Sequence, residues 1–404
     1  MPRPAPWLLP EGIEELLPDQ AERAEALRRR LIDLFHAWGY RLVVPPLVEH
    51  LESLLTGTGG DLELDTLKLV DPASGRMLGV RADMTPQVAR IEASRIRAEV
   101  PTRLCYVGSV LRARPQGAQG GRSPIQAGAE LYGHDGVESD AEVACLMVET
   151  LRCAGLEGIL LDLGHVGIFR ALAASVGLAP EDEAELFGLL QRKAQAAIAE
   201  RLAAWGVAEP ERAALAALAR LHGGVEVLAR AAEVLAPCGE GPMRALVRLE
   251  ALARRLGARL PAVRLHVDLA ELRGYRYHTG VVFAAFVAGC GEEVARGGRY
   301  DGVGAAFGRA RPATGFSTDL RLLLALGTAA AEAGEGAVLA PAVEDAALAE
   351  AVARLRARGE RVVQALGLPG ETPRAMGCAR VLVRRGDAWV AEEVSAPPGE
   401  GDDG

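Results

Sequence analysis

The sequence predicts an α+β protein: a mostly antiparallel sheet flanked by helices, with a helical insertion and a small C-terminal α/β unit. Three observations predict it. Strand-like runs recur between Tyr40 and Tyr132, with turns and helical stretches among them. From about Ile168 to Ala258 strand signals vanish, and alanine, leucine, arginine and glutamate take over. Strand signals return at Val263, and a shorter mixed pattern occupies residues 336–394.

Asp19 followed by Glu22 makes a capping-box pattern, so the first helix is expected over Gln20 to Trp38. Ala21, Ala24, Leu27, Leu31, Leu34 and Trp38 recur at helical spacing and should face a core. Gly39 ends the helix. Tyr40 to Val44 reads as a strand closed by Pro45 and Pro46. Thr66 to Val70 and Met77 to Arg81 read as paired strands, with Asp71-Pro72-Ala73-Ser74-Gly75 as the turn. Thr85 as N-cap and Pro86 at N1 start the next helix. Arg103 to Val110 and Ser123 to Tyr132 read as strands joined by a glycine-rich loop, and Ser139 with Glu142 caps a helix reaching about Cys153.

After the insertion, strands are expected at Val263 to Leu269, Val281 to Val287 and Glu293 to Arg296. A last core helix starts near Thr318 or Asp319 and ends by about Gly334. The core thus covers residues 1–328. The C-terminal unit, 336–394, shows a helix at Asp345 to Arg358, a strand at Arg361 to Gln364 and a hairpin through Ala379 to Val394. Ser395 to Gly404 is expected to be disordered.

The 404 residues suffice for two or three domains. A net charge of −9 argues against broad nonspecific nucleic-acid binding, although a local basic patch is compatible with it. The six cysteines form no C-x-x-C pair, which disfavours a zinc site or redox motif; no metal and no cofactor are expected. Their scatter suits buried thiols in a reducing cytosol. Pro10 and Glu11 break the apolar run at the N-terminus, so no signal peptide is expected. No apolar stretch is long enough for a membrane helix.

Polar groups cluster in three places: Arg81-Ala82-Asp83-Met84-Thr85, Gln126-Ala127-Gly128-Ala129-Glu130, and Arg273 to Gly280 with Tyr277 and His278. Each has a plain structural reading. Thr85 is a good cap, and Asp83 complements a helix N-terminus. Gln126 and Glu130 share one strand face, where a polar pair is usually solvated. A lone histidine such as His278 is usually structural. Gly274 and Gly280 read as backbone requirements.

Several segments together resemble histidyl-tRNA synthetases of class II. Leu9-Pro10-Glu11-Gly12 resembles that family's opening, and Gly39 to Glu49 with Pro46 resembles the dimer-forming first motif. Arg296-Gly297-Gly298-Arg299-Tyr300-Asp301-Gly302 resembles a histidyl signature, and Gly315-Phe316 marks the third motif. The resemblance runs over roughly residues 5–328. It implies a class II antiparallel sheet, usually dimeric, with an insertion where the helical texture lies. It also implies a histidine pocket. Asp83 would hold the ammonium, with Thr85 and Gln126 completing that shell. Glu130 would face the imidazole, with Tyr277 and His278 lining its pocket. His278 stands where the family has a second tyrosine. Arg273 matches the family arginine that aids adenylate formation, and would alternatively meet the histidine carboxylate or a buried acid.

The ATP motifs depart from the family. Phe-Arg-x-Glu is expected where this chain reads Val110-Leu111-Arg112-Ala113-Arg114. Counting from Gln126 puts Arg112 at the phosphate arginine and Arg114 at the acid; aligning on Arg114-Pro115-Gln116 puts Leu111 and Ala113 there. Either way the acid is absent. In the third motif Asp319 replaces a glycine, Arg321 the acid and Leu322 the adenine-stacking arginine. A kept pocket, altered ATP motifs and a short C-terminal unit resemble the regulatory subunits of ATP phosphoribosyltransferase, which serve the first step of histidine biosynthesis. That resemblance implies a non-catalytic cytoplasmic protein. Its partner would be the short-form catalytic subunit in a hetero-oligomer, with histidine as effector and no tRNA charging. An active histidyl-tRNA synthetase, or an RNA- or amine-sensing regulator on the same core, are the alternatives.

Overall fold

The computed structural model describes residues 7–57, 60–115, 121–272, 274–275, 277–328 and 336–394. The chain forms two compact units, Met1–Ala329 and Ala330–Gly404. Twelve strands lie in the first: β1 Arg41–Leu42, β2 Val48–His50, β3 Leu67–Val70, β4 Met77–Val80, β5 Thr102–Ser109, β6 Ile125–Tyr132, β7 Leu160–His165, β8 His222–Gly223, β9 Arg264–Asp268, β10 Val281–Phe286, β11 Ala295–Arg299 and β12 Ala313–Asp319. Nine of them form one sheet, ordered β1-β5-β6-β12-β11-β10-β7-β9-β8. Within this sheet, among the described residues, only β1·β5 and β7·β9 pair in parallel. The expected α+β, mostly antiparallel class is what the chain adopts. A smaller sheet, β2-β4-β3, stands apart.

Period-two alternation gives the sheet two different faces. On one, Cys105, Val107, Ala127, Ala129, Leu131 and Phe316 join a large apolar core with Leu27, Leu31 and Phe35 of the helix Pro18–Ala37. The other face carries Leu104, Tyr106 and Tyr132 against Met84, Val88 and Tyr300. This second face holds the site. Between β7 and β9 the chain is mainly helical, from Val166–Val176 to Glu240–Arg259, with β8 pairing onto β9.

Three expected caps are corrected. The first helix starts at Pro18 with Leu17 at the cap; the Gln20 side chain, not Glu22, reaches back to the Leu17 N–H at 3.3 Å. Thr85 is the first helical residue of Thr85–Ile91 and caps nothing; the Asp83 carboxylate accepts its N–H. Gly136 takes the cap of Val137–Cys153, because Ser139 Oγ turns back to donate to the Gly136 carbonyl at 2.7 Å.

β2, β7, β8 and β12 carry no clear strand signal in the sequence. β7 is a leucine run that passes for helix, and in β12 the Thr314, Phe316, Thr318 alternation is short and set among Gly315, Ser317 and Asp319, which read as turn residues. The last core helix spans Leu320–Leu326, shorter than expected. In the second unit, β13 (Ala337–Ala340) lies between β14 (Val362–Gln364) and β15 (Cys378–Arg385), with β16 (Ala388–Glu393) at the edge and the helix Ala346–Ala357 on one face. The tail 395–404 lies outside the described residues.

Candidate functional site

Strand β6 sets the site's geometry. Gln126 and Glu130 point to the same face, four residues apart. Gln126 Nε2 donates to Asp83 Oδ1 at 2.9 Å, and its Oε1 accepts the Met84 N–H at 2.9 Å. Asp83 Oδ1 also accepts the Thr85 N–H at 2.8 Å. Thr85 Oγ1 is thereby placed 3.1 Å from Tyr106 OH. Tyr106 donates to Glu130 Oε1 at 2.9 Å, and Tyr300 donates to Oε2. One polar chain therefore joins Gln126, Asp83, Thr85, Tyr106, Glu130 and Tyr300.

Glu130 is 1% exposed. Burial pushes its carboxyl up to about 8, against the two tyrosine hydrogen bonds that pull it down. The acid thus holds its proton through most of the neutral range. Its neighbour across the sheet is Gly315 of β12. A Cβ there would fall 1.5 Å from Glu130 Oε2, so the third-motif glycine is the space the carboxyl occupies.

Tyr277 stacks on Tyr300 with ring centres 5.0 Å apart, and His278 meets Tyr277 edge-on at 5.4 Å. The His278 ring rests on Gly274, where a Cβ would fall 2.6 Å from Cδ2. Burial lowers His278 to about 4, so the imidazole is neutral at pH 7. Tyr277 OH and His278 Nδ1 are buried and have no hydrogen-bond partner among the described residues. Arg273 lies outside the described residues.

Asp83, Gln126 and Arg112 border a cavity of about 970 Å³ together with Arg296, Asp319 and Arg321. Burial lowers Arg112, while Asp83 raises it. Thr85, Glu130, Tyr277 and His278 are not among the residues lining this space; Glu130 is buried and the other three are half-buried. The site thus has a closed end around Glu130 and an open end around Arg112.

The altered motif positions serve structure at the open end. Asp319 Oδ1 caps its helix through the Arg321 N–H at 3.0 Å, and accepts the Ile125 N–H at 3.1 Å. Arg321 donates to the Glu14 carbonyl at 2.9 Å. Arg122 N–H reaches the Gly12 carbonyl at 2.7 Å. These bonds stitch the N-terminal segment along the cavity rim. Arg114 pairs with Asp65 at 2.8 Å and is 55% exposed.

Sequence reasoning missed Tyr106 and Tyr300 as partners of Glu130. Tyr106 lies opposite Gly128 on the neighbouring strand, a small residue facing a large one. Tyr300 sat inside the Arg-Gly-Gly-Arg-Tyr-Asp segment, where its contact with β6 needs the β11–β12–β6 order.

Comparisons with known proteins show the family and the fold. Residues 12–323 match the family model for histidyl-tRNA synthetase, and 335–392 match that for the ATP phosphoribosyltransferase subunit HisZ C-terminal domain. A histidyl-tRNA synthetase from Nostoc shares the fold, with a TM-score of 0.76 at 18% identity over 94% of this chain and 92% of its own. The molecule is thus a class II synthetase-like protein of the histidyl type. An ATP phosphoribosyltransferase regulatory subunit from Thioalkalivibrio sulfidiphilus is 57% identical over 94% of this chain and 96% of its own. One from Alkalilimnicola ehrlichii is 55% identical over 96% and 97%. A solved structure from Bacillus halodurans, described as an ATP phosphoribosyltransferase regulatory subunit/histidyl-tRNA synthetase, covers 94% of this chain and 99% of its own, with a TM-score of 0.82 and 27% identity. The chain belongs to the family of ATP phosphoribosyltransferase regulatory subunits.

Proposed function

We propose that this chain senses free histidine and biases a short-form ATP phosphoribosyltransferase catalytic subunit, without adenylating histidine itself. The observation that carries this is the polar chain from Gln126 to Tyr300, set beside an open end whose altered positions bind the protein's own backbone. Asp83, Gln126 and Thr85 take the ligand ammonium. Glu130, with Tyr277 and His278, takes the imidazole, and Arg112 and Arg273 take the carboxylate. A site of such paired polar groups rejects ligands that lack them by about 10⁴-fold.

The loss of adenylation is supported by Arg321 and Asp319, which stand where an acid and a glycine are needed and are engaged elsewhere. Exposed Val48 and Leu69 share one face of the β2-β4-β3 sheet, and with exposed Val44 and Leu47 beside it they support self-dimerisation through that face. Six unpaired cysteines support a cytoplasmic location.

Histidine is expected to raise the melting temperature, and Glu130→Ala to abolish that rise. Histidine added to the complex with the catalytic subunit should change its phosphoribosyl transfer. Histidine-dependent ATP–pyrophosphate exchange by the pure protein would overturn the non-adenylating reading, and absence of any thermal shift with or without partner would overturn sensing.

A further inference from the structure

We infer that Tyr275 is a positioning residue that fastens the pocket turn to the helical insertion and relays ligand occupancy to it. The inference rests on the reading of the pocket as a histidine site. The turn is closed by the Gly274 carbonyl, which accepts the Tyr277 N–H at 2.7 Å and the His278 N–H at 2.8 Å. Gly274 has φ +65°, a backbone conformation that favours glycine. From this turn two tyrosines go in different directions. Tyr277 enters the pocket and stacks on Tyr300, which holds Glu130.

Tyr275 goes to the insertion. Its ring meets Phe169 edge-on at 5.3 Å and Phe187 at 5.4 Å. The Arg170 guanidinium carbon stands 4.7 Å from the ring centre, and the same group donates to the Tyr275 carbonyl. The phenol donates to Glu183. Phe169 and Arg170 belong to the helix Val166–Val176, Glu183 and Phe187 to Pro180–Gln191. An aliphatic residue would fill the same space without the cation–π contact or the phenol bond.

The turn therefore has two fixed ends, Tyr277 in the pocket and Tyr275 between two insertion helices. A ligand that changes the packing of Tyr277 acts on those helices through a short, hydrogen-bonded turn. By linkage, a partner that binds those helices and is coupled to histidine changes histidine affinity by the same factor by which histidine changes the partner's.

Amide hydrogen exchange on the full chain, paired with calorimetric titration of histidine, tests this. In the wild type, histidine should slow exchange in residues 166–176 and 180–191 by about 5-fold or more, the lower end of ordinary coupling. Tyr275→Phe keeps the ring and removes the Glu183 bond; Glu183→Gln weakens the same contact from the insertion side. Both should lose most of that slowing while remaining folded, with histidine affinity unchanged or reduced. Full slowing in both variants overturns the relay. Wild type that binds histidine without slowing in these helices overturns the relay and leaves sensing intact. Wild type that binds no histidine overturns both.

Discussion

The closed and open ends of the site satisfy their polar groups in different ways. Around Glu130 the partners are side chains on β5, β6 and the segment after β11, so each bond joins two distant parts of the chain. Around the cavity, cations pair with backbone carbonyls or a half-buried acid: Arg321 with the Glu14 carbonyl, Arg23 with the Leu324 carbonyl, and the exposed Arg296 with Glu293. Buried networks are strongly interdependent, because an unpaired member is costly in a medium of low dielectric. Rim contacts are exchangeable with water and cost little to lose. A change at the closed end should therefore spread to stability and pH response, and one at the open end should stay local.

The largest effect is expected from the support of the closed end. Arg299, next to Tyr300, is 1% exposed and donates to Asp140 at 3.0 Å, to Ser139 Oγ at 2.9 Å and to the His134 and Gly136 carbonyls. Arg299→Met leaves buried Asp140 with the more distant Arg248, 4.0 Å away, in place of its directly bonded cation. A loss of about 3–5 kcal/mol is expected in urea unfolding. A loss below about 1 kcal/mol would mean that the closed end does not depend on this pair.

Glu130→Gln gives the next effect, and it is read as a slope. The folded pKa of Glu130, about 8, exceeds its ordinary value of 4.5, so the folded state binds more protons. Its contribution is fully present below about 4.5 and is lost as pH rises through 8. His278 and His165, lowered to about 4, act oppositely: their contribution is present above 6.5 and is lost as pH falls towards 4. Between pH 6.5 and 8 the glutamate acts without the histidines. There the wild type should lose at most about 2 kcal/mol relative to Glu130→Gln. Parallel stability curves for the two proteins would show that Glu130 is ionised throughout.

These two effects mark what was legible in the sequence. Gln126 and Glu130 share a face because strands alternate, and that rule needs no tertiary information. The sheet class was legible for the same reason. Tyr106 and Tyr300 as partners of Glu130 were not legible, because strand order is set by long-range pairing that periodicity does not encode. The caps failed in a consistent way. Asp19, Thr85 and Ser139 each have cap chemistry, but each lies inside a helix that starts at or before it, at Pro18, Thr85 and Val137. The burial of Glu130 between Tyr106 and Tyr300 is likewise a packing result.

Asp319 lies between the two ends and should give an intermediate effect. Its Oδ1 caps the helix Leu320–Leu326 and takes the Ile125 N–H, one residue before Gln126. Asp319→Ala should cost about 1–2 kcal/mol, the usual range for losing a helix cap. If the ends are separable, the histidine-induced melting shift should persist in this variant. Loss of the shift would extend the closed end through Ile125 to the third-motif helix.

Arg114 should give the smallest effect. It stands where an acid would orient ATP, yet it pairs with Asp65, and its own side chain is 55% exposed while that of Asp65 is 13% exposed. A pair whose cation is this open to water contributes about 1 kcal/mol at most. Arg114→Ala should therefore leave urea stability within about 1 kcal/mol of wild type and leave the histidine melting shift intact. The salt dependence should also flatten slightly, since a pair with so open a cation is screened over about 10 Å at 0.1 M salt. An Arg114→Ala protein that no longer responds to histidine would break the comparison outright. It would place the loop after β5 inside the ligand-binding end and give a motif position set aside here a direct part in sensing.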